Sequence, residues 1–153
     1  MQFPETRSRF APRLVDALYV EAMVLADEAR SYFDRPEVIE RDALTPLARV
    51  VLACESLRVT TRLMHVVAWL LTRRAIENRE IATDPERAAA RRLGHAEESD
   101  PEVWASLPEA ARAVIVASHE LYARVRRLEG EIDRGEAMAS PARGLINRLE
   151  RAF

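Results

Sequence analysis

The sequence predicts an all-α fold: an antiparallel three-helix bundle with a long central helix, paired as a homodimer. Three observations carry this expectation. The chain of 153 residues holds only four glycines and is rich in Ala, Leu, Arg and Glu, which favour helix over sheet. Three long stretches repeat apolar residues at spacings of three and four, the period of one helix face. The middle stretch is apolar on two sides, so one side can close a subunit core and the other a subunit interface.

Taken in order, residues 1–11 are a polar lead-in, read as a flexible N-terminus. The first helix is expected over about 12–34, with Leu14, Leu18, Ala22, Leu25, Ala29 and Tyr32 on one side. Pro36 stops it by disfavouring helical geometry at Arg35. A connection over 36–44 is short enough to make the first two helices antiparallel neighbours.

The central helix runs over about 46–79. Thr45 is a good N-cap, and Pro46 fits the first helical position, where no amide donor is needed. One apolar stripe is Leu47, Val50, Val51, Cys54, Leu57, Met64, Ala68, Leu71 and Ala75, read as buried. The second is Leu63, Val66, Val67, Trp69, Leu70 and Ile76. Between them lies a polar run, Glu55, Ser56, Arg58, Thr60, Thr61 and Arg62. Glu55, Arg58 and Arg62 are spaced three and four apart and share a face, as ion-pairing residues or as a polar docking patch.

Residues 80–105 form a crossover. Thr83-Asp84-Pro85-Glu86 signals a short helix ending near Gly94, and the acidic run Glu97–Glu102 reads as a solvated loop able to project from the bundle. Ser106-Leu107-Pro108-Glu109 has capping-box spacing and opens a third helix over about 107–134. Its seam is Ala111, Val114, Ser118, Leu121, Val125, Leu128 and Ile132. Gly135 ends it. The tail, 135–153, can start a short helix at Ser140-Pro141 that carries Leu145, Ile146, Leu149 and Phe153, docked on the bundle or free for another protein.

Composition excludes several functions. All 23 basic residues are arginine, so no lysine is available for a Schiff base, a P-loop or a pyridoxal-phosphate anchor. The net charge of −2 gives no general attraction to nucleic acid or to an anionic membrane, and the arginine clusters alternate with glutamates. The apolar run Leu63–Leu71 is too short to span a bilayer, and no signal peptide opens the chain, so a cytoplasmic protein is expected. The one cysteine, Cys54, sits on an apolar stripe and reads as a small core residue.

The search for chemistry finds no catalytic, cofactor-binding or metal-binding pattern. His65, His95 and His119 are the only histidines, and none follows a carboxylate by three residues, the di-iron bundle spacing. No HExxH, cysteine cluster, GxSxG or glycine-rich phosphate loop occurs. The expected protein is not an enzyme, and its work lies in surfaces.

The segment Cys54–Ile81 resembles the central helix of the RcdA family, the regulators of CtrA degradation of alphaproteobacteria. The pattern E-S-[LM]-R-x-T-T-R-L-M-x-V-x-[SA]-W-L-L falls on Glu55, Ser56, Leu57, Arg58, Thr60, Thr61, Arg62, Leu63, Met64, Val66, Ala68, Trp69, Leu70 and Leu71. The resemblance implies a dimeric three-helix bundle that acts without catalysis as an adaptor of the ClpXP protease. Its implied partners are the protease, a response regulator and further adaptors in the cell cycle. Candidate contact residues are then Glu55, Arg58, Thr61, Arg62, Trp69, Leu145, Leu149 and Phe153. The alternative is a helical regulator that binds a different protein or a small ligand.

Overall fold

A computed structural model describes residues 5–35 and 43–152, and all their regular structure is helical. Helix α1 spans Glu5–Phe33, α2 Pro46–Glu77, α3 Pro85–Ala88, α4 Pro101–Trp104 and α5 Glu109–Ala152. A single 3-10 turn, Ala89–Arg91, follows α3. The expectations for residues 1–4, for most of the 36–44 connection and for Phe153 lie outside the described residues.

Local chemistry accounts for most of the helix starts. The Thr45 hydroxyl accepts the Ala48 N–H at 3.2 Å and caps α2, with Pro46 in the first helical position. Asp84 and Asp100 cap the two short helices by accepting the N–H of the residue two places on, and each is followed by proline. At the end of α2 the chain turns through Arg79 in the left-handed region, φ 59°. Its N–H reaches the Ile76 carbonyl, and the Glu80 N–H reaches that of Ala75.

Several boundaries differ from the sequence reading. Helix α1 begins at Glu5 rather than near residue 12, so Pro12 lies inside it. Proline there removes one backbone bond, and the residues before it contain no breaker. At the other end α5 runs 44 residues to Ala152, straight past Gly135 and Pro141. One glycine costs about 1 kcal/mol in a helix, too little to end one among strong helix formers. Ser106 does not cap α5, because the helix starts at Glu109 and the Arg112 N–H bonds to the Pro108 carbonyl.

Cross-helix pairs set the topology. Arg74 meets Asp16 at 3.0 Å and Arg124 meets Glu21 at 2.6 Å, so α1 runs antiparallel to both α2 and α5. Arg62 meets Ser118, and further along Trp69 and Ile76 line one cavity with Glu129 and Ile132. Helices α2 and α5 are therefore parallel. The crossover makes this possible by carrying the chain back along the bundle before α5 begins.

The core is built from one stripe of each long helix. Val15, Leu18, Ala22, Leu25 and Ala29 come from α1, and Ala111, Ile115, Leu121, Val125 and Leu128 from α5. Helix α2 supplies Leu52, Val59, Leu63, Val66, Trp69 and Leu70. The stripe expected to be buried, Leu47, Val50, Cys54, Leu57, Met64, Ala68 and Leu71, faces outward instead. Cys54 is exposed rather than a core residue. Two apolar faces on one helix cannot both turn to the same core, and the face continuous with Trp69 is the one that packs.

Candidate protein-interaction site

The polar run of α2 divides between inside and outside. Glu55 is 0% and Arg62 1% exposed, although both are charged. Burying an arginine is tolerable only if its donors are satisfied. Arg62 donates through Nη1 to the Ser118 Oγ at 2.6 Å, and through Nη2 to the Glu97 carbonyl at 2.9 Å and the Ser99 Oγ at 3.2 Å. Ser118 passes its own hydroxyl proton to the Ile115 carbonyl. Burial pulls the Arg62 guanidinium below the usual arginine range, with the charge of Glu55 opposing it.

Arg58 takes the other side of Glu55. Its guanidinium donates to Glu55 Oε1 at 2.7 Å and lies 3.4 Å from the Glu97 carboxylate. The hydrogen bond to Glu55 raises the Arg58 pKa. Among the described residues Glu55 Oε2 has no hydrogen-bond partner, and the Arg58 and Arg62 charges compensate this buried carboxylate.

These contacts tie down the crossover expected to project. The Leu93 N–H bonds to Glu129, and the Tyr122 hydroxyl donates to the Gly94 carbonyl at 2.8 Å. Gly94 sits against the His65 ring, where any Cβ would clash with Nδ1. Ala96 and Ser99 are buried, and the Ser99 N–H donates to His119 Nε2 at 3.1 Å. The acidic run is thus a strap laid along α2 and α5.

The expected contact residues consequently separate. Glu55, Arg62 and Trp69 are buried within the subunit, and Trp69 also lines a cavity. Arg58 is partly exposed and Thr61 is exposed. Leu145 and Leu149 are exposed on α5, at 61% and 55%, with Ile146 beside them. The expectation for Phe153 lies outside the described residues.

The outward seam of α2 is the first of its two apolar stripes, joined by Thr61. Leu47, Val50, Cys54, Leu57, Thr61, Met64, Ala68 and Leu71 alternate spacings of three and four, and all are exposed. That is the repeat of a coiled-coil face, about 36 Å long at 1.5 Å per residue. The alternation is present in the sequence, but the sequence leaves open which stripe closes the core and which lies outward. A cavity of about 670 Å³ lies between α2, α3 and α5, floored by Trp69, Ile76 and Ile132. Two of the charges that line it, Arg92 and Asp133, pair with each other, and Arg73 pairs with Glu77. Among the described residues no cluster of His, Cys, Asp and Glu could hold a metal ion, and no helix is long and apolar enough to cross a membrane.

Fold and surface together define an all-helical bundle whose charged groups are used for packing and whose apolar seam is left open. Residues 6–153 match the family described as protein of unknown function (DUF1465). A solved structure, the crystal structure of RcdA from Caulobacter crescentus CB15, is 36% identical with a TM-score of 0.59, covering 75% of this chain and 87% of that one. This chain belongs to the RcdA family. No curated protein matches. The family segment quoted above carries both faces of α2: Glu55, Arg62, Val66, Trp69 and Leu70 point inward, whereas Leu57, Thr61, Met64, Ala68 and Leu71 point outward.

Proposed function

We propose that this protein is a cytoplasmic, non-enzymatic adaptor that works as a homodimer, bringing substrates to the ClpXP protease in cell-cycle control. The observation that carries the reading is the exposed heptad seam of α2, a long and mainly apolar face with no charged residue on it. A second copy supplies a matching face, and pairing α2 with α2 covers both. The exposed Leu145, Ile146 and Leu149 on α5 remain for another protein. Holding two partners at once raises the substrate's effective concentration at the protease without new chemistry. The adaptor role itself is supported by the likeness to RcdA.

A pull-down from lysate of the source organism, with a non-hydrolysable ATP analogue present, tests this. Baits are the wild-type chain, Arg58→Glu and a Leu145→Asp, Leu149→Asp double variant. Retention of the protease or a response regulator by wild type, lost in the double variant, supports the reading and its tail contact. Absence of every proteolytic component from all baits removes the adaptor role. The cavity beside Trp69 favours a second reading, a regulator that binds a small ligand. A melting temperature that rises with metabolite concentration would support that reading instead.

A further inference from the structure

We propose that residues 92–100 are a releasable strap latched by the neutral imidazole of His119, so that protonating this ring frees the strap from the groove between α2 and α5. The inference is independent of the adaptor reading. Its basis is the direction of one hydrogen bond. His119 Nε2 accepts the Ser99 N–H at 3.1 Å, which places the ring proton on Nδ1. A doubly protonated ring has no lone pair left to accept that N–H.

The surroundings make the latch one-directional. From α2 the ring faces the charge of Arg62, which is itself bonded to Ser99 and to the Glu97 carbonyl. Glu55 from α2 and Glu98 from the strap oppose that charge, and Glu97 is turned toward Arg58. On α5, Ser118 is taken up by Arg62, and the Tyr122 hydroxyl by the Gly94 carbonyl. The strap's Asp100 carboxylate caps α4 through the Glu102 N–H. A second cation at His119 would therefore meet Arg62 and lose Ser99 in one step.

The pH dependence follows from the same geometry. Burial, and after it the Arg62 charge, hold the latched ring below the ordinary histidine range. Released into water, the ring regains a value of about 6.5. The released state then binds the proton more tightly, and latching weakens as pH falls below that value. Between about pH 7.5 and about pH 5.5 the opening equilibrium rises by up to about tenfold.

Amide hydrogen exchange on the full chain, corrected for intrinsic rates, measures this opening at Ser99. The expected result is a loss of Ser99 protection of up to about tenfold between these two pH values in the wild type. In His119→Gln, whose side-chain carbonyl accepts the same N–H without titrating, protection is expected to be independent of pH. Unchanged protection in the wild type, an equal loss in His119→Gln, or a loss shared by the core amides of Leu70 and Val125 would each overturn the proposal. If His119→Gln does not fold, the wild type decides the matter by nuclear magnetic resonance. A His119 ring titration with the same midpoint as the Ser99 opening supports the latch, and separate midpoints refute it.

Discussion

Arg62 reaches from the middle of α2 to Ser118 on α5, Nη1 to Oγ at 2.6 Å, with its guanidinium removed from solvent. This one side chain joins two parallel helices and the strap that connects them. Replacing it with methionine, close in volume, leaves Ser99, Ser118 and the Glu97 carbonyl without their donor and Glu55 short of a compensating charge. The expected loss is about 3–5 kcal/mol, read by urea denaturation. Arg62→Lys should recover less than half of it, because one ammonium cannot reproduce a planar fork that bonds in two directions.

The outward seam predicts a separation of assembly from stability. Leu57→Glu with Met64→Glu should convert a dimer to a monomer in light scattering, while the melting temperature of the monomer stays close to that of dilute wild type. Both side chains are about two-thirds exposed, at 69% and 66%, so the substitution buries no charge in the subunit. Leu70→Ala on the opposite face, fully buried, should instead cost about 2–5 kcal/mol. A wild type that is monomeric at high concentration would refute the α2 pairing.

Gly94 and His65 should be coupled. A methyl group at residue 94 clashes with the imidazole, so either the ring or the strap must move. Gly94→Ala is expected to destabilise by about 1–3 kcal/mol. In a His65→Ala background the same change should cost at least 1 kcal/mol less, by roughly the range of a contacting pair. Additive losses in that double-mutant cycle would show that the ring is not the obstacle.

Arg79 carries the one positive φ outside glycine among the described residues, 59°, at the end of α2. A side chain there strains the left-handed conformation that closes the helix. Arg79→Gly should stabilise the protein by up to about 1 kcal/mol, seen as a higher denaturation midpoint at unchanged slope.

Much of the fold was legible in the chain because its signals are local. Thr45-Pro46 and Asp84-Pro85 mark helix starts through side-chain oxygens that reach only two or three residues onward. The seam of α5, from Ala111 to Leu128, follows from period alone, since one packed face suffices. Gly135 does not end α5 for the complementary reason: one glycine's local penalty is small beside the favourable residues on either side.

The candidate site was legible only in composition. Glu55, Arg58 and Arg62 were identifiable as a set at helical spacing, but spacing places residues on a face without saying what covers it. Period alone determined that α2 has two apolar faces, and the absence of lysine excludes lysine-based chemistry. Which face turns inward was decided by the tertiary structure, where Trp69 and Leu70 meet α5 and the strap arrives over Arg62. Those partners lie tens of residues away in the chain. Burial of a charge depends on donors and acceptors assembled in space, and no local sequence signal encodes that assembly.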